Sequence, residues 1–212
     1  MSNTPAEQIV WIDCEMTGLE IETDRLCELA IIVTDFDLTP LHEGFTVVIN
    51  PGEEALAGMN DFVRNMHTTS GLLEEMQQGL TAEVAEQQAL DYVNGLVSEG
   101  SRPLVAGNTI GMDRRFIAKY LPVFDERMHY RSVDVSTIKE LSRRWYPSTF
   151  YRAPEKHGGH RALADIAESI RELAFFRDTV MVKAPGPGSD EVKEQAKKTI
   201  ADYAPLIDGM TR

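Results

Sequence analysis

Runs of apolar residues near the start of the chain predict the first strands of a β-sheet. Gln8–Cys14, Leu26–Phe36 and Leu41–Asn50 are each dominated by apolar side chains, which is typical of buried strands. The short link at 37–40 between the second and third runs favours an antiparallel hairpin. A fourth apolar run, Leu104–Ala106, predicts a further short strand.

Helical spacing dominates the rest of the chain. Apolar residues repeat at helical intervals after Thr81, a residue type that caps helices, and this pattern stops at Gly100. Further helices are predicted at about 113–120, 137–145 and 161–176. Strands that come first, with helices mixed in later, predict an α/β domain with a mixed sheet.

The composition changes after Val182, where the sequence becomes Ala-Pro-Gly-Pro-Gly-Ser, as in a linker. Beyond it, three apolar residues at i, i+4 and i+8 indicate a short peripheral helix (Val192, Ala196 and Ile200). We therefore expect one domain over residues 1–182 and a linker with a tail over residues 183–212.

Composition and charge narrow the class of protein. The chain has 212 residues, and 42% of them are hydrophobic. Its net charge of −13 argues against binding long nucleic-acid duplexes through a broad basic face. A small anionic substrate held by metal ions remains compatible with that charge. No apolar run is long enough to span a membrane, and no secretion signal precedes the first strand. Cys14 and Cys27 have no metal-binding spacing, so we expect buried thiols in a reducing cytoplasm.

Two acidic residues lie at the end of the first predicted strand. Because side chains alternate along a strand, Asp13 and Glu15 share one face and Cys14 points the opposite way, into the core. An isolated pair of this kind is most often a polar strand end. The apolar surroundings weaken that interpretation, since two buried like charges need a partner such as a cation.

Further candidate residues occur where helices begin. Asp113 opens a helix after a glycine-bearing loop, where a carboxylate would also complement the helix dipole. Asp165 lies in the last strong helix, five residues after His160. Five residues correspond to about 500°, so the two cannot share a helix face, and we place His160 on the loop or first turn. The alternative for His160 is a surface histidine.

If the fold brings them together, these carboxylates form an oxygen cage for two divalent cations beside a titratable base. The order of the motifs resembles that of the DEDDh 3′→5′ exonucleases, and longer strings resemble the oligoribonuclease family. The matching strings are WIDCEMTGL at 11–19, NTIGMDRRF at 108–116, HYRSVDVS at 129–136 and HRALADI at 160–166.

The resemblance implies a ribonuclease H-like fold, with a mixed sheet of about five strands, one of them antiparallel, flanked by helices. It also implies two Mg²⁺ or Mn²⁺ ions held by the four carboxylates, and His160 as the base that takes a proton from water. The metal ligands would be Asp13, Glu15, Asp113 and Asp165.

The same resemblance implies a preference for very short RNA, especially 5′-phosphorylated dinucleotides. Leu19 matches a wedge between the two bases, Phe62 an aromatic residue that stacks on a base, and His67 a residue near the substrate. Thr109 and Arg131 match a cap on the 5′-phosphate. A second subunit of a homodimer would complete that cap with two further residues (His129 and Tyr130).

Two rival functions remain open at this point. A proofreading exonuclease that trims DNA beside a polymerase would use the same metal cage. A catalytically silent nucleic-acid-binding dimer would have lost a metal ligand, and none is missing from this sequence.

Overall fold

The computed structural model describes residues 5–155 and 161–210. Within these ranges the strands are β1 (Pro5–Met16), β2 (Leu26–Asp35), β3 (Phe45–Val48), β4 (Arg102–Gly107) and β5 (Ser132–Asp134). The helices are α1 (Glu53–Gly58), α2 (Asp61–Ser70), α3 (Leu72–Gln77), α4 (Ala82–Leu96), α5 (Gly111–Tyr120), α6 (Pro122–Arg127), α7 (Val135–Trp145), α8 (Pro147–Phe150), α9 (Ala162–Val180) and α10 (Ser189–Met210).

The strands form one mixed sheet in the order β3-β2-β1-β4-β5. β2 runs antiparallel to both of its neighbours, β1 and β3, whereas β4 is parallel to β1 and β5 is parallel to β4. Among the described strands, β2 is therefore the one that runs against the rest. This arrangement confirms the predicted α/β fold, and it adds β5, which the hydrophobic pattern did not locate.

Alternation along β1 sends its side chains into two different cores. Val10, Ile12 and Cys14 pack with apolar residues of α4, α5 and α6 on one face of the sheet. Ile9 and Trp11 pack with residues of α7 and α9 on the other face. Because of the two-residue period, the next odd-numbered positions, 13 and 15, continue the face that α9 covers. The predicted orientation of Cys14 into the core is confirmed.

The predicted helices are present, with small shifts at their ends. The Thr81 hydroxyl accepts a hydrogen bond from the Val84 amide at 3.4 Å, so α4 begins after the predicted cap. α5 and α7 each begin two residues before the predicted start. For α7 the reason is the Asp134 side chain, which accepts a hydrogen bond from the Ser136 amide at 2.9 Å. The predicted third strand is shorter, because only Phe45–Val48 pairs with β2.

The segment between β3 and α4 forms three short helices that the pattern did not predict. α2 begins after Asn60, whose side chain accepts a hydrogen bond from the Val63 amide at 2.9 Å. Leu72 and Met76 of α3 pack against Cys27 of β2 in a small separate core. Tertiary packing, rather than a long apolar repeat, therefore stabilises these helices.

The C-terminal segment contains a longer helix than predicted, because α10 runs over 22 residues and includes Pro205. The apolar residues behind the prediction lie on it, with Val192 and Ile200 exposed. The division into a domain over 1–182 and a tail over 183–212 stays a prediction. Across the described ranges, no helix combines the length and apolar character needed to cross a bilayer.

Candidate active site

Three carboxylates meet at the end of β1, on the face of the sheet that α9 covers. One oxygen each from Asp13, Glu15 and Asp165 lies within 4.8 Å of the other two. The two-residue period of β1 brings the first two together. Asp165 lies in the first turn of α9, which packs across β1. These three groups could therefore bind one divalent cation in common.

The fourth predicted ligand, Asp113, reaches the same strand from α5. Its Oδ1 accepts a hydrogen bond from the Cys14 amide at 3.0 Å. The parallel register between β1 and β4 ends at the pair Trp11 and Ala106, which leaves the Cys14 amide without a strand partner on that side. Asp113 takes that place. It lies outside the group of three within 4.8 Å, but it contacts Cys14, which stands between Asp13 and Glu15 on β1.

Without a cation, burial and mutual repulsion disfavour the ionised form of these carboxylates. Burial is the main cause that raises the pKa of Asp13 to about 9, and Asp113, Asp165 and Glu15 raise it further. The pKa of Glu15 rises to about 8 through burial and then through the charge of Glu28. For Asp113, burial outweighs two backbone hydrogen bonds and raises the pKa to about 7.

The donor set fits a hard divalent cation. All three members of the group within 4.8 Å offer carboxylate oxygens, and oxygen ligands of this kind suit Mg²⁺, Mn²⁺ or Ca²⁺. A cation at this position would offset the mutual repulsion that, after burial, raises the pKa values of Asp13 and Glu15.

Glu28 and Arg161 anchor the start of α9, and Glu28 was not among the residues predicted from the sequence. Glu28 is buried on β2, opposite Glu15 in the register with β1. Arg161 contacts Glu28 at 3.3 Å and Glu75 of α3 at 3.0 Å, and the Ala162 amide donates to Glu28 at 3.4 Å. An acidic residue inside an apolar strand was the signal that could have identified Glu28.

His160 precedes Arg161 and lies outside the described residues. Its predicted role as the catalytic base therefore stays a prediction.

Leu19 lies on an exposed turn between β1 and β2, and its side chain is 63% exposed. The Asp24 carboxylate shapes this turn by accepting hydrogen bonds from the Thr17 hydroxyl at 3.0 Å and from the Glu20 amide at 2.8 Å. A side chain at Gly18 would collide with that carboxylate. The exposure of Leu19 shows that it is not part of the hydrophobic core.

Phe62 and His67 both lie on α2 but have opposite environments. Phe62 is 77% exposed, so it is no part of the core and could contact a ligand. His67 is buried, and its Nε2 lies 2.8 Å from the Met16 carbonyl at the end of β1. The structure thus gives His67 a contact that orients α2 against the carboxylate end of β1. Direct contact between His67 and a substrate stays a prediction.

Thr109 lies just after β4 in an unusual backbone conformation, with φ of 55°. Its amide donates to Asp134 and to Ser136, each at 3.0 Å, and its hydroxyl lies 3.1 Å from the Ser136 hydroxyl. It opens on a surface cavity of about 480 Å³ that Arg144 also lines. The sequence pattern alone gives no indication that Asp134 and Ser136 are partners of Thr109.

The residues predicted to complete the cap form a stacked group next to β5. The rings of His129 and Tyr130 are 4.5 Å apart, and the Arg131 guanidinium lies 5.4 Å from the Tyr130 ring centre. His129 is buried, and its carbonyl accepts a hydrogen bond from Arg114 at 2.8 Å. Tyr130 is 64% exposed, so of these two aromatic residues it is the one whose ring faces solvent.

Comparison with known proteins places this geometry in a family. Residues 10–173 match the family model described as Exonuclease (RNase_T). Proteins named oligoribonuclease from Leifsonia xyli subsp. xyli and Cutibacterium acnes are 52% and 54% identical, over 94% and 90% of this chain and 96% and 94% of their own. The chain belongs to the exonuclease family, whose members are hydrolases. Within it, the chain belongs to the oligoribonucleases, and it is a 3′→5′ exoribonuclease.

Solved structures support the same fold at lower identity. Exonuclease I of E. coli, in a zinc-bound complex with single-stranded DNA, superposes with a TM-score of 0.65 at 15% identity. The match covers 84% of this chain and 41% of that one, so the chain spans about two fifths of the length of that enzyme. At this identity the likeness concerns the fold alone, and it confirms the ribonuclease H-like architecture.

Proposed function

We propose that this protein hydrolyses very short RNA from the 3′ end, preferring 5′-phosphorylated dinucleotides, and releases mononucleotides. Two divalent cations, Mg²⁺ or Mn²⁺, serve as cofactors, and His160 is the general base. The observation that carries the proposal is the convergence of Asp13, Glu15 and Asp165 within 4.8 Å, with Asp113 on the adjoining amide.

In this proposal the four carboxylates hold the cations, and the cations, when bound, supply positive charge to the scissile phosphate. The protein's own contribution is rigidity. Asp13 and Glu15 lie on a central strand, and Asp165 is fixed by the anchored start of α9. Ligands on packed elements keep their spacing when a substrate binds.

Substrate recognition in the proposal depends on exposed residues around the carboxylates. Leu19 separates the two bases and Phe62 stacks on one of them, consistent with their exposure. Stacking of a base on an aromatic ring contributes about 1–3 kcal/mol. Thr109 and Arg131 bind the 5′-phosphate, for which a guanidinium can donate two parallel hydrogen bonds. A closed phosphate site would exclude a longer RNA strand, which explains a preference for dinucleotides.

The proposal includes a homodimer in which His129 and Tyr130 complete the partner's phosphate site. The exposed Tyr130 ring, held by stacking on the buried His129, supports this arrangement. We also propose a cytoplasmic location, since both cysteines are buried free thiols, as expected in a reducing compartment.

The first test measures hydrolysis of 5′-labelled RNA of two to twenty nucleotides with Mg²⁺, Mn²⁺ or EDTA. We expect rates that fall steeply with length, no reaction in EDTA, and a loss on the order of 100-fold or more in Asp113→Asn. Indifference to length would indicate a general exonuclease. Preference for long single-stranded DNA would favour a proofreading role, and binding of short RNA without metal-dependent hydrolysis would indicate a silent binder.

The role of His160 predicts a pH dependence. With saturating metal, kcat should rise with pH through about 6.5, the usual pKa of histidine, because the base acts in its neutral form. His160→Ala should lower kcat by about 10²–10⁴-fold and remove that rise. Steady-state rates between pH 5.5 and 8 provide the measurement, and a flat wild-type profile would count against this role.

A further inference from the structure

A second carboxylate of α9 is buried away from the metal-binding group. The Glu172 side chain is 6% exposed and forms a salt bridge of 2.9 Å with Lys139 of α7. The Asn108 amide, just after β4, donates to Glu172 at 3.0 Å and to the Ser169 hydroxyl at 2.8 Å. Both N–H donors of the Asn108 side chain are therefore taken up by α9.

These contacts fix which way the Asn108 amide faces. A carboxylate can only accept from Asn108, and the Ser169 hydroxyl gives its own proton to the Asp165 carbonyl at 2.9 Å. The Nδ2 of Asn108 consequently faces α9, and its Oδ1 faces the start of α7, where the Ser136 hydroxyl donates to it at 3.1 Å.

The chain of hydrogen bonds continues to Thr109. Because the Ser136 proton is given to Asn108, the Ser136 oxygen accepts the hydrogen bond from the Thr109 amide at 3.0 Å and that from its hydroxyl at 3.1 Å. Thr109 is β-branched and has φ of 55°, a strained combination that persists only where neighbours hold it. Ser136, together with Asp134, provides that restraint.

We propose that Glu172 is a positioning residue for the 5′-phosphate site, acting through Asn108 and Ser136 on Thr109. This inference rests on the proposed function, in which the Thr109 hydroxyl turns its proton from the Ser136 oxygen to the substrate's 5′-phosphate.

One helix face would then serve both ends of a dinucleotide. Asp165, Ser169 and Glu172 stand at i, i+4 and i+7, so they share a face of α9. Asp165 contributes to the carboxylate group, and Glu172 holds the loop after β4 two turns further on. The fixed spacing along α9 would keep the phosphate site at a set distance from the cleaved bond.

The test compares Glu172→Leu and Glu172→Gln with the wild type, using the full chain. kcat and KM are measured for a diribonucleotide with a 5′-phosphate and for the same one with a 5′-hydroxyl. Glu172→Leu removes the acceptor, so KM for the phosphorylated dimer should rise about fivefold to tenfold. KM for the diribonucleotide with a 5′-hydroxyl, and kcat for both substrates, should change less than about twofold. Glu172→Gln keeps an acceptor and should recover most of the loss.

Arg131→Ala serves as the comparator because it removes a proposed phosphate ligand directly. If wild type and Arg131→Ala discriminate equally between the two diribonucleotides, the proposed phosphate site is refuted, and the role of Glu172 with it. If Arg131→Ala loses discrimination and Glu172→Leu keeps it, the role of Glu172 alone is refuted. Should Glu172→Leu fail to fold, Asn108→Ala breaks the same chain, and unchanged discrimination in that variant overturns the inference.

Discussion

Replacing Asp13 by asparagine is expected to lower kcat/KM by at least about 10³-fold, equivalent to roughly 4 kcal/mol of transition-state stabilisation. The substitution keeps the size of the side chain but removes a negative charge from the group formed with Glu15 and Asp165. A cation in that group would lose one of its anionic ligands, and the concentration of Mg²⁺ or Mn²⁺ needed for half-maximal activity should rise as well.

The measurement is steady-state hydrolysis of a 5′-phosphorylated diribonucleotide across a metal titration. Glu54→Gln provides a matched control, since it removes one charge from an exposed carboxylate on α1. The control should retain full activity. A value for Asp13→Asn within tenfold of the wild type would show that the carboxylate group at the end of β1 is not where the reaction takes place.

The strand end that carries Asp13 and Glu15 could be predicted because the rule behind it is local. A two-residue period and an adjacent apolar run are both readable from the sequence, and they fix the shared face without knowledge of any partner. The long helix that carries Asp165 follows in the same way from its 3.6-residue repeat. Both predictions agree with the structure.

The contacts that complete the carboxylate group at the end of β1 could not be predicted from the sequence, because they depend on where neighbouring strands stop. Asp113 bonds to the Cys14 amide only because β4 leaves β1 after Ala106. Glu28 lies beside Glu15 only through the register between β1 and β2. Register and strand length are properties of the assembled sheet, and a single sequence specifies them weakly.

The backbone conformation of Thr109 could not be predicted from the sequence either. Threonine is disfavoured at positive φ, so its residue type gives no indication of the conformation that it adopts. That conformation is imposed by hydrogen bonds that the Thr109 amide donates to residues more than twenty positions away in sequence, Asp134 and Ser136. The contact of His67 with the Met16 carbonyl likewise depends on how α2 packs against β1, which the sequence pattern does not specify.

The stability of the metal-free protein should fall as the pH is raised, and divalent cations should reverse that fall. In the folded state the pKa values of Asp13, Glu15 and Asp113 rise to about 9, 8 and 7, from ordinary values of 3.8, 4.5 and 3.8. Between about pH 4 and pH 9 the folded state therefore retains protons that the unfolded chain has released. Each such group lowers the free energy of unfolding by up to about 1.4 kcal/mol per pH unit.

We expect Tm in EDTA to decrease from pH 5 to pH 8.5, and Mg²⁺ or Mn²⁺ to raise Tm more at the higher pH, where the ligands are ionised. Thermal unfolding followed by circular dichroism measures both effects. Asp13→Asn should flatten the pH dependence and weaken the response to metal, because it removes the carboxylate with the largest shift. Glu54→Gln should retain both. A Tm in EDTA that is constant over this range, or equal metal responses at both pH values, would contradict a buried carboxylate group whose charge is balanced by cations.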